Sequence, residues 1–194
     1  MSVAKVTSNS LRERDLSTEP NLTKADLSGT NLSEANLRRA ELSEANLTGA
    51  DLSGTNLSEA NLSEADLTDA SLTEAALSRA DLPSTDLSEA HLLKADLSEA
   101  ELMSADLDSA KPVRANLFRA DLMRANLTGA NLTGADLTQA DLSGADLSGA
   151  DLREANLTQE EVEPAIGDEN TRLPPDIKPP AHWCVKTEEQ AKED

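Results

Sequence analysis

The sequence predicts a solenoid, a backbone that coils around an axis filled with leucine, and three observations carry that prediction. Across residues 21–157 a five-residue phrase recurs 28 times: Ala, then Asp or Asn, then Leu, then commonly Ser or Thr, then a variable residue. Leucine fills 27 of the 28 central positions, Pro112 being the exception, and alanine fills 24 of the 28 positions two residues earlier, where Pro20, Thr30, Thr55 and Thr85 are the others. The Ser, Thr, Asn, Asp and Gly between leucines can supply turns.

A period of five suits neither common element. On an α-helix each step would rotate the leucine by roughly 140° and smear the leucines around the cylinder. On a flat strand an odd step would send successive leucines to opposite faces. A constant turn in every pentad gives all leucines the same surroundings, and fixed-period self-similarity is the mark of a solenoid. The composition agrees: with no Tyr, one Phe and one Trp, leucine and alanine must fill the core in place of aromatic anchors. A hydrophobic content of 38% beside 28% charged residues is enough where each coil buries only against its neighbours.

Phrases such as Ala25-Asp26-Leu27-Ser28-Gly29 and Ala45-Asn46-Leu47-Thr48-Gly49 resemble the pentapeptide-repeat family, over about 70% of the chain. The resemblance implies an all-β fold, a right-handed quadrilateral β-helix with one pentad per side and four per coil, the central Leu and preceding Ala pointing inward. Twenty-eight pentads then make about seven coils, a rod roughly 34 Å long at about 4.8 Å per coil.

The flanks read as caps. Residues 1–20 are expected to form a partly disordered N-terminal cap, in which Leu11 and Leu16 keep the spacing before a one-residue slip at Glu19 and Pro20. Thr158-Gln159-Glu160-Glu161 reads as a capping box ahead of Val162 and Ile166, with Pro164 keeping the helix short and Gly167 as a stop. Such a helix would cover the pairing-competent edge of the last coil. Residues 158–183 therefore form the expected C-terminal cap, a short helix followed by a proline-rich extended segment whose Leu173, Ile177 and Trp183 can fold back on the rod. Residues 184–194 are charged and read as a disordered tail. Neither a signal leader nor an apolar run of about 20 residues is evident, so a cytoplasmic protein is expected. Cys184 stands alone, which excludes an internal disulfide and favours a plain structural role.

Assigning pentads to four sides turns the sequence into a surface map. The repeats hold 10 bases and 24 acids, a net −14. The side centred on Leu27, Leu47 and onward to Leu147 carries Asp26, Asp66, Asp69, Asp86, Glu89, Asp106, Asp108 and Asp146 and no base, for −8. The side centred on Leu22 carries seven acids against Lys24 and Arg124, for −5. The sides centred on Leu32 and Leu37 together hold the remaining −1. Two readings stand for the acids: turn-forming residues that also keep rods apart, or a functional acidic face.

A second departure lies between Leu92 and Arg124. The position after the central Leu, normally Ser or Thr, is here Leu93, Met103, Val113, Phe118 and Met123, with Lys94, Lys111, Arg114, Arg119 and Arg124 among them. Apolar side chains exposed in one band point to a contact surface, and Leu93, Lys94, Lys111, Val113, Arg114, Phe118 and Arg119 are its candidate residues. The alternative is a bulge at the broken pentad around Pro112, which lacks a ladder donor, patched by displaced apolar groups.

Catalysis finds no support. His91, His182 and Cys184 are the only residues of their types, too few and too scattered for a positioned nucleophile and base or a metal cluster, and no cofactor or metal site is expected. The formal net charge of −20 disfavours direct nucleic-acid binding. Two functions from different classes survive. The first is a non-enzymatic interaction module, an acidic rod, monomeric or a weak end-to-end dimer, that binds a protein partner. The second follows from the resemblance, since some family members linked to quinolone resistance bind DNA gyrase by imitating duplex DNA. The two acidic sides carry −13 over roughly 34 Å, one charge per roughly 2.6 Å against about 1.7 Å for DNA. The gyrase-directed members favour Phe at central positions and often carry a projecting loop and an apolar C-terminal helix, none of which this sequence shows. The interaction module ranks first.

Overall fold

Each pentad has five backbone amides, and the fold follows from where they go. The computed structural model describes residues 20–183, so the expected cap over residues 1–19, the tail and Cys184 lie outside the described residues. In a pentad such as Ala45 to Gly49 we name the positions alanine, ladder, leucine, hydroxyl and turn. The ladder amide donates to the alanine carbonyl one coil back (Asn46 N to Ala25 O, 2.9 Å), and the leucine amide to the ladder carbonyl one coil on (Leu27 N to Asn46 O, 2.7 Å). The turn amide donates to the next coil's hydroxyl-position carbonyl (Gly29 N to Thr48 O, 2.9 Å), and the alanine amide closes a β-turn on the preceding leucine (Ala50 N to Leu47 O, 2.9 Å).

The fifth amide, at the hydroxyl position, has no backbone acceptor, and where the ladder residue is Asp or Asn its side chain answers it. Asp66 Oδ1 accepts from Thr68 N at 3.0 Å, and Asn46 Oδ1 from Thr48 N at 3.0 Å. The hydroxyl beside it reinforces the bond, as Ser88 Oγ does to Asp86 Oδ1 at 2.5 Å. This is why ladder positions read Asp or Asn and hydroxyl positions Ser or Thr: buried or half-buried backbone donors must be satisfied.

The result is the right-handed quadrilateral β-helix. Parallel bridges join residues 20 apart, from Asn21 with Glu41 to Asp136 with Asn156, so four pentads close each coil. Every turn residue from Lys24 to Glu154 takes a positive φ, between 54° and 69°, and 20 of these 27 are not glycine. None is β-branched, as the left-handed region requires. The core is a stack of leucines, fully buried from Leu27 to Leu137 wherever leucine stands, between alanines. Thr55 and Thr85, the buried exceptions at alanine positions, donate their hydroxyls to Leu32 O and Leu62 O at 2.8 Å.

The C-terminal cap imitates one more coil. Helix α1, Gln159–Val162, begins at Thr158, whose amide Glu161 Oε2 accepts at 2.5 Å. Glu161 Oε1 also takes the Gln139 amide. Pro164 O accepts from Gly144 N, Ile166 O from Leu147 N and Arg172 O from Leu152 N, at 2.7 to 3.0 Å. Asp168 Oδ1 takes the Gly149 amide at 2.9 Å. Edge donors of the last coil are thus met by side chains and irregular backbone rather than by the helix alone. Trp183, 5% exposed, seals the end, its indole N–H on Ala165 O at 2.8 Å. Its ring lies where a Cβ on Gly167 would sit 2.6 Å away, so only glycine fits there. Leu173 and Ile177 are half-buried against the core.

Two outcomes follow from this packing. Leu67→Ala and Leu87→Ala, at fully buried sites, should each cost about 2–5 kcal/mol by leaving a cavity, whereas Glu64→Ala on the surface should cost little; denaturant melts that destabilise both classes equally would contradict the inward leucines. The cap carries its own reporter, Trp183, the single tryptophan. Asp168 is held down to about 2, chiefly by the Gly149 amide and against the push of burial. A carboxyl depressed in the folded state stabilises above its ordinary pKa and loses that contribution as pH falls, so Trp183 emission should shift to the red between about pH 4 and pH 2. Asp168→Ala should shift it at neutral pH, and an emission spectrum indifferent to both would remove Asp168 from the cap.

Candidate functional site

Stacking at a 20-residue interval sorts the surface into columns, and the columns decide which sequence-predicted residues meet. On the acidic side, Asp26, Asp66, Asp86, Asp106 and Asp146 are half-buried at ladder positions, each with Oδ1 on the amide two residues on. Burial pushes the Asp66 carboxyl up, but the Thr68 amide and hydroxyl and the Thr48 hydroxyl outweigh it and hold it below the usual carboxylate range. Asp69 and Glu89 are exposed at turn positions, and Asp108 is half-buried. Asn46 and Asn126 make the same turn bonds in this column without charge, and the Asn126 amide nitrogen bridges to Asp106 Oδ1 at 2.9 Å.

The side centred on Leu37 balances four bases against four acids, and three of its bases pair with acids one coil away. Arg39, Glu59, Arg79, Glu99, Arg119 and Gln139 stand in one turn-position column. Arg39 donates to Glu59 at 2.7 Å, Arg79 to Glu99 at 2.8 Å and Arg119 to Gln139 at 2.8 Å. Arg39 first, and then Arg38, lowers the Glu59 carboxyl, and Arg79 lowers Glu99. Each exposed pair is weak alone, but the alternation spares this side the repulsion that an uninterrupted column would suffer. Sequence reading had the neutrality of the side without its mechanism.

The expected apolar band is divided. Leu93 and Val113 stack one coil apart on the side centred on Leu32, Phe118 lies on the next side, and Met103 and Met123 on the one after. Leu93 and Met103 are 41% and 42% exposed, while Val113, Phe118 and Met123 are half-buried. Arg119 covers the Phe118 ring at 5.1 Å. Lys94 donates to Glu74 at 3.1 Å, and Lys111 to His91 Nε2 at 2.8 Å. Arg114 has no ion-pair partner among the described residues.

The bulge considered at Pro112 as the alternative to a contact surface is absent. Pro112 is buried in the leucine position, its turn closes (Ala115 N to Pro112 O, 3.1 Å) and the next coil keeps its register (Asn131 N to Ala110 O, 2.9 Å). Its effect is one missing ladder donor: no bridge joins Lys111 to Asn131, and the Leu92 amide reaches Lys111 O at 3.2 Å rather than 2.7 Å. The fold absorbs the proline because its φ suits extended backbone and only one bond is forfeited. Pro83 acts differently. At a hydroxyl position it offers no N–H, and Asp81 Oδ1 is buried without a hydrogen-bond partner. Sequence reading did not single it out, although a proline two residues after a ladder Asp is the visible signal.

A cleft of about 380 Å³ opens between the cap and the last coil, lined by Gln139, Asp141, Ser143, Glu160, Glu161 and Pro164 among others. Its lining holds carboxylates and hydroxyls but no His, Cys, Lys or Arg. Among the described residues no cluster of three His, Cys, Asp or Glu side chains is placed to hold a metal ion, and no helix is long and apolar enough to cross a membrane.

With four-sided coils and inward leucines in view, the family assignment is direct. The model of pentapeptide repeats matches residues 21–59, 45–83, 84–117 and 120–159, and the chain belongs to that family. Among solved structures it is similar to HetL of Nostoc sp. strain PCC 7120, a pentapeptide repeat protein involved in regulating heterocyst differentiation, at 34% identity and TM-score 0.59, over 77% of this chain and 70% of that one. It also matches Rfr23 of Cyanothece 51142, at 27% identity and TM-score 0.29 over 81% and 94% of the two chains. QnrB1, a plasmid-mediated fluoroquinolone resistance protein, matches at 16% identity and TM-score 0.37 over 97% and 92%. No curated protein sequence matches the chain.

The two prolines give one test. Pro83→Ser should restore the Asp81 turn bond and stabilise by about 1 kcal/mol, and Pro112→Leu should restore a ladder bond and fill the leucine column, stabilising by about 1–2 kcal/mol. Thermal melts in which both variants fall below wild type would show that the prolines relieve strain instead.

Proposed function

We propose that this chain is a non-enzymatic protein-interaction module, a stiff acidic rod that docks a protein partner at mid-length on its near-neutral sides. The observation that supports this reading is Leu93, 41% exposed where the repeat commonly places Ser or Thr, with Val113 stacked on it and Phe118 around the corner. These side chains contribute little to the core, so a contact explains them better than packing does. HetL, which resembles this chain, is a regulatory protein by its description, a role consistent with a binding rod.

Imitation of DNA toward gyrase is the second reading, favoured by one observation: the side centred on Leu27 has no base. Against it, the ladder aspartates there are half-buried and tied into their own turns, a duty Asn performs equally at Asn46 and Asn126.

Affinity capture with two variants separates the readings. Leu93→Ser, Val113→Thr and Phe118→Ser together should leave the melting temperature within a few degrees and abolish partner capture. A large fall in melting temperature would make the band structural. Asp66→Asn, Asp86→Asn and Asp106→Asn together should leave capture intact. Submicromolar, salt-sensitive inhibition of gyrase supercoiling by the wild type, abolished in this second variant, would establish mimicry instead.

A further inference from the structure

The side centred on Leu32 sums to −1 with its charges segregated: Glu34, Asp51 and Glu74 lie in the first three coils and Asp151 and Glu154 in the last. Between them the three stacked pentads 90–94, 110–114 and 130–134 contain no acid and hold His91, Lys94, Lys111 and Arg114, in a chain of net charge −20. The columns order this patch. His91 and Lys111 form one row, Leu93 and Val113 the next, and Lys94 and Arg114 the third, so an apolar ridge runs between two basic rows in which Lys94 is already paired with Glu74 one coil back.

Two of these pentads, like those of Glu41, Ser71, Ala76 and Glu101, lack the turn bond that a ladder Asp or Asn makes. With His91 and Lys111 at the ladder positions, no side-chain oxygen answers the hydroxyl-position amides, and Leu93 N–H and Val113 N–H have no acceptor among the described residues. Among the described residues the Lys111 ammonium meets only the His91 ring, and Arg114 has no acidic partner. The face therefore presents donors and positive charge around an apolar ridge, with almost nothing to accept a hydrogen bond from a partner.

We propose that this face binds an acidic polypeptide segment of a partner protein, one that sets an aliphatic or aromatic side chain on the Leu93–Val113 ridge and its flanking carboxylates on Lys111, Arg114 and the two unanswered amides. Charged hydrogen bonds from carboxylates to such donors are the strong kind, and the acidic sides of the rod repel the same segment everywhere else, which confines it to this face. The inference rests on the interaction-module reading and adds the chemistry of the partner.

The test is selection of a random 16-residue peptide library on the full chain, followed by titration of synthetic copies of the enriched peptides. Enriched sequences should place Asp or Glu within two residues of a large apolar residue. Their affinity should fall at least tenfold with Lys111→Glu plus Arg114→Glu, and likewise with Leu93→Ser plus Val113→Ser. Glutamate already occupies a ladder position at Glu101 and a turn position at Glu74, so the charge reversals suit the fold, and circular dichroism melts verify it. The equal charge change Lys24→Glu plus Arg124→Glu, on another side, should leave affinity unchanged. Peptides that are neutral or basic, yet lost on the Ser variant, would overturn the acidic partner while sparing the docking band. No enrichment, or peptides indifferent to both face variants, would overturn both. Binding of a 16-base-pair DNA duplex to this face, or self-association in sedimentation that Lys111→Glu abolishes, would assign it to another occupant and sink the proposal.

Discussion

One hydrogen bond decides what this rod can tolerate. Of five amides per pentad the backbone answers four, and the last is answered by a ladder Asp or Asn, as Asp66 answers Thr68. Where that acceptor is missing, an unsatisfied donor results, and the cost is set by how far water can reach it. The amides of Leu93 and Val113 lie on an open face, whereas Asp81 shows the reverse case, an acceptor whose donor Pro83 cannot supply. Because either Asp or Asn satisfies the turn, charge at a ladder position is set independently of the fold. An acidic column can arise from turn chemistry without being a binding surface.

Register converts this local rule into a surface. Identical positions stack at one-coil intervals, so a substitution is judged by residues 20 before and after it rather than by its sequence neighbours. Glu59 is stabilised by Arg39 and Glu99 by Arg79, pairs far apart in sequence. Twenty turn positions hold charged or polar side chains at positive φ, a conformation in which glycine would be less strained. The glycines that do occur, such as Gly29 and Gly149, sit toward the ends, while the crowded middle of the rod carries the charged turns.

The fold was legible because the period of leucine admits one geometry, and the charge map was legible because the period also assigns sides. The apolar band was misread for a related reason: residues 93 to 123 are close in sequence, but each pentad turns a corner, so Leu93, Phe118 and Met123 face different ways. The bulge at Pro112 was inferred from a rule about sheets in which many bonds depend on one strand position, and here just one does. The cap was half visible. The Thr158 to Glu161 pattern announced the helix, but nothing in sequence marked Asp168 or Glu161 as substitutes for a coil, because their partners are amides of residues far upstream. The cationic patch emerges once the side centred on Leu32 is read coil by coil rather than summed.

The cap also has a consequence for how the chain is made. Every vertical bond spans 19 to 21 residues in the repeats, as from Leu27 to Asn46 or from Asn46 to Ala25, so each coil closes a loop of the same length at the same entropic cost. A finished coil is a template for the next, and assembly can proceed as a zipper in step with synthesis. The residues that answer the last edge, Glu161, Asp168 and Trp183 among them, are translated after all seven coils. Until they emerge, the growing rod ends in an open parallel edge, and the interval between the last leucine and Trp183 is when two nascent chains are most prone to join.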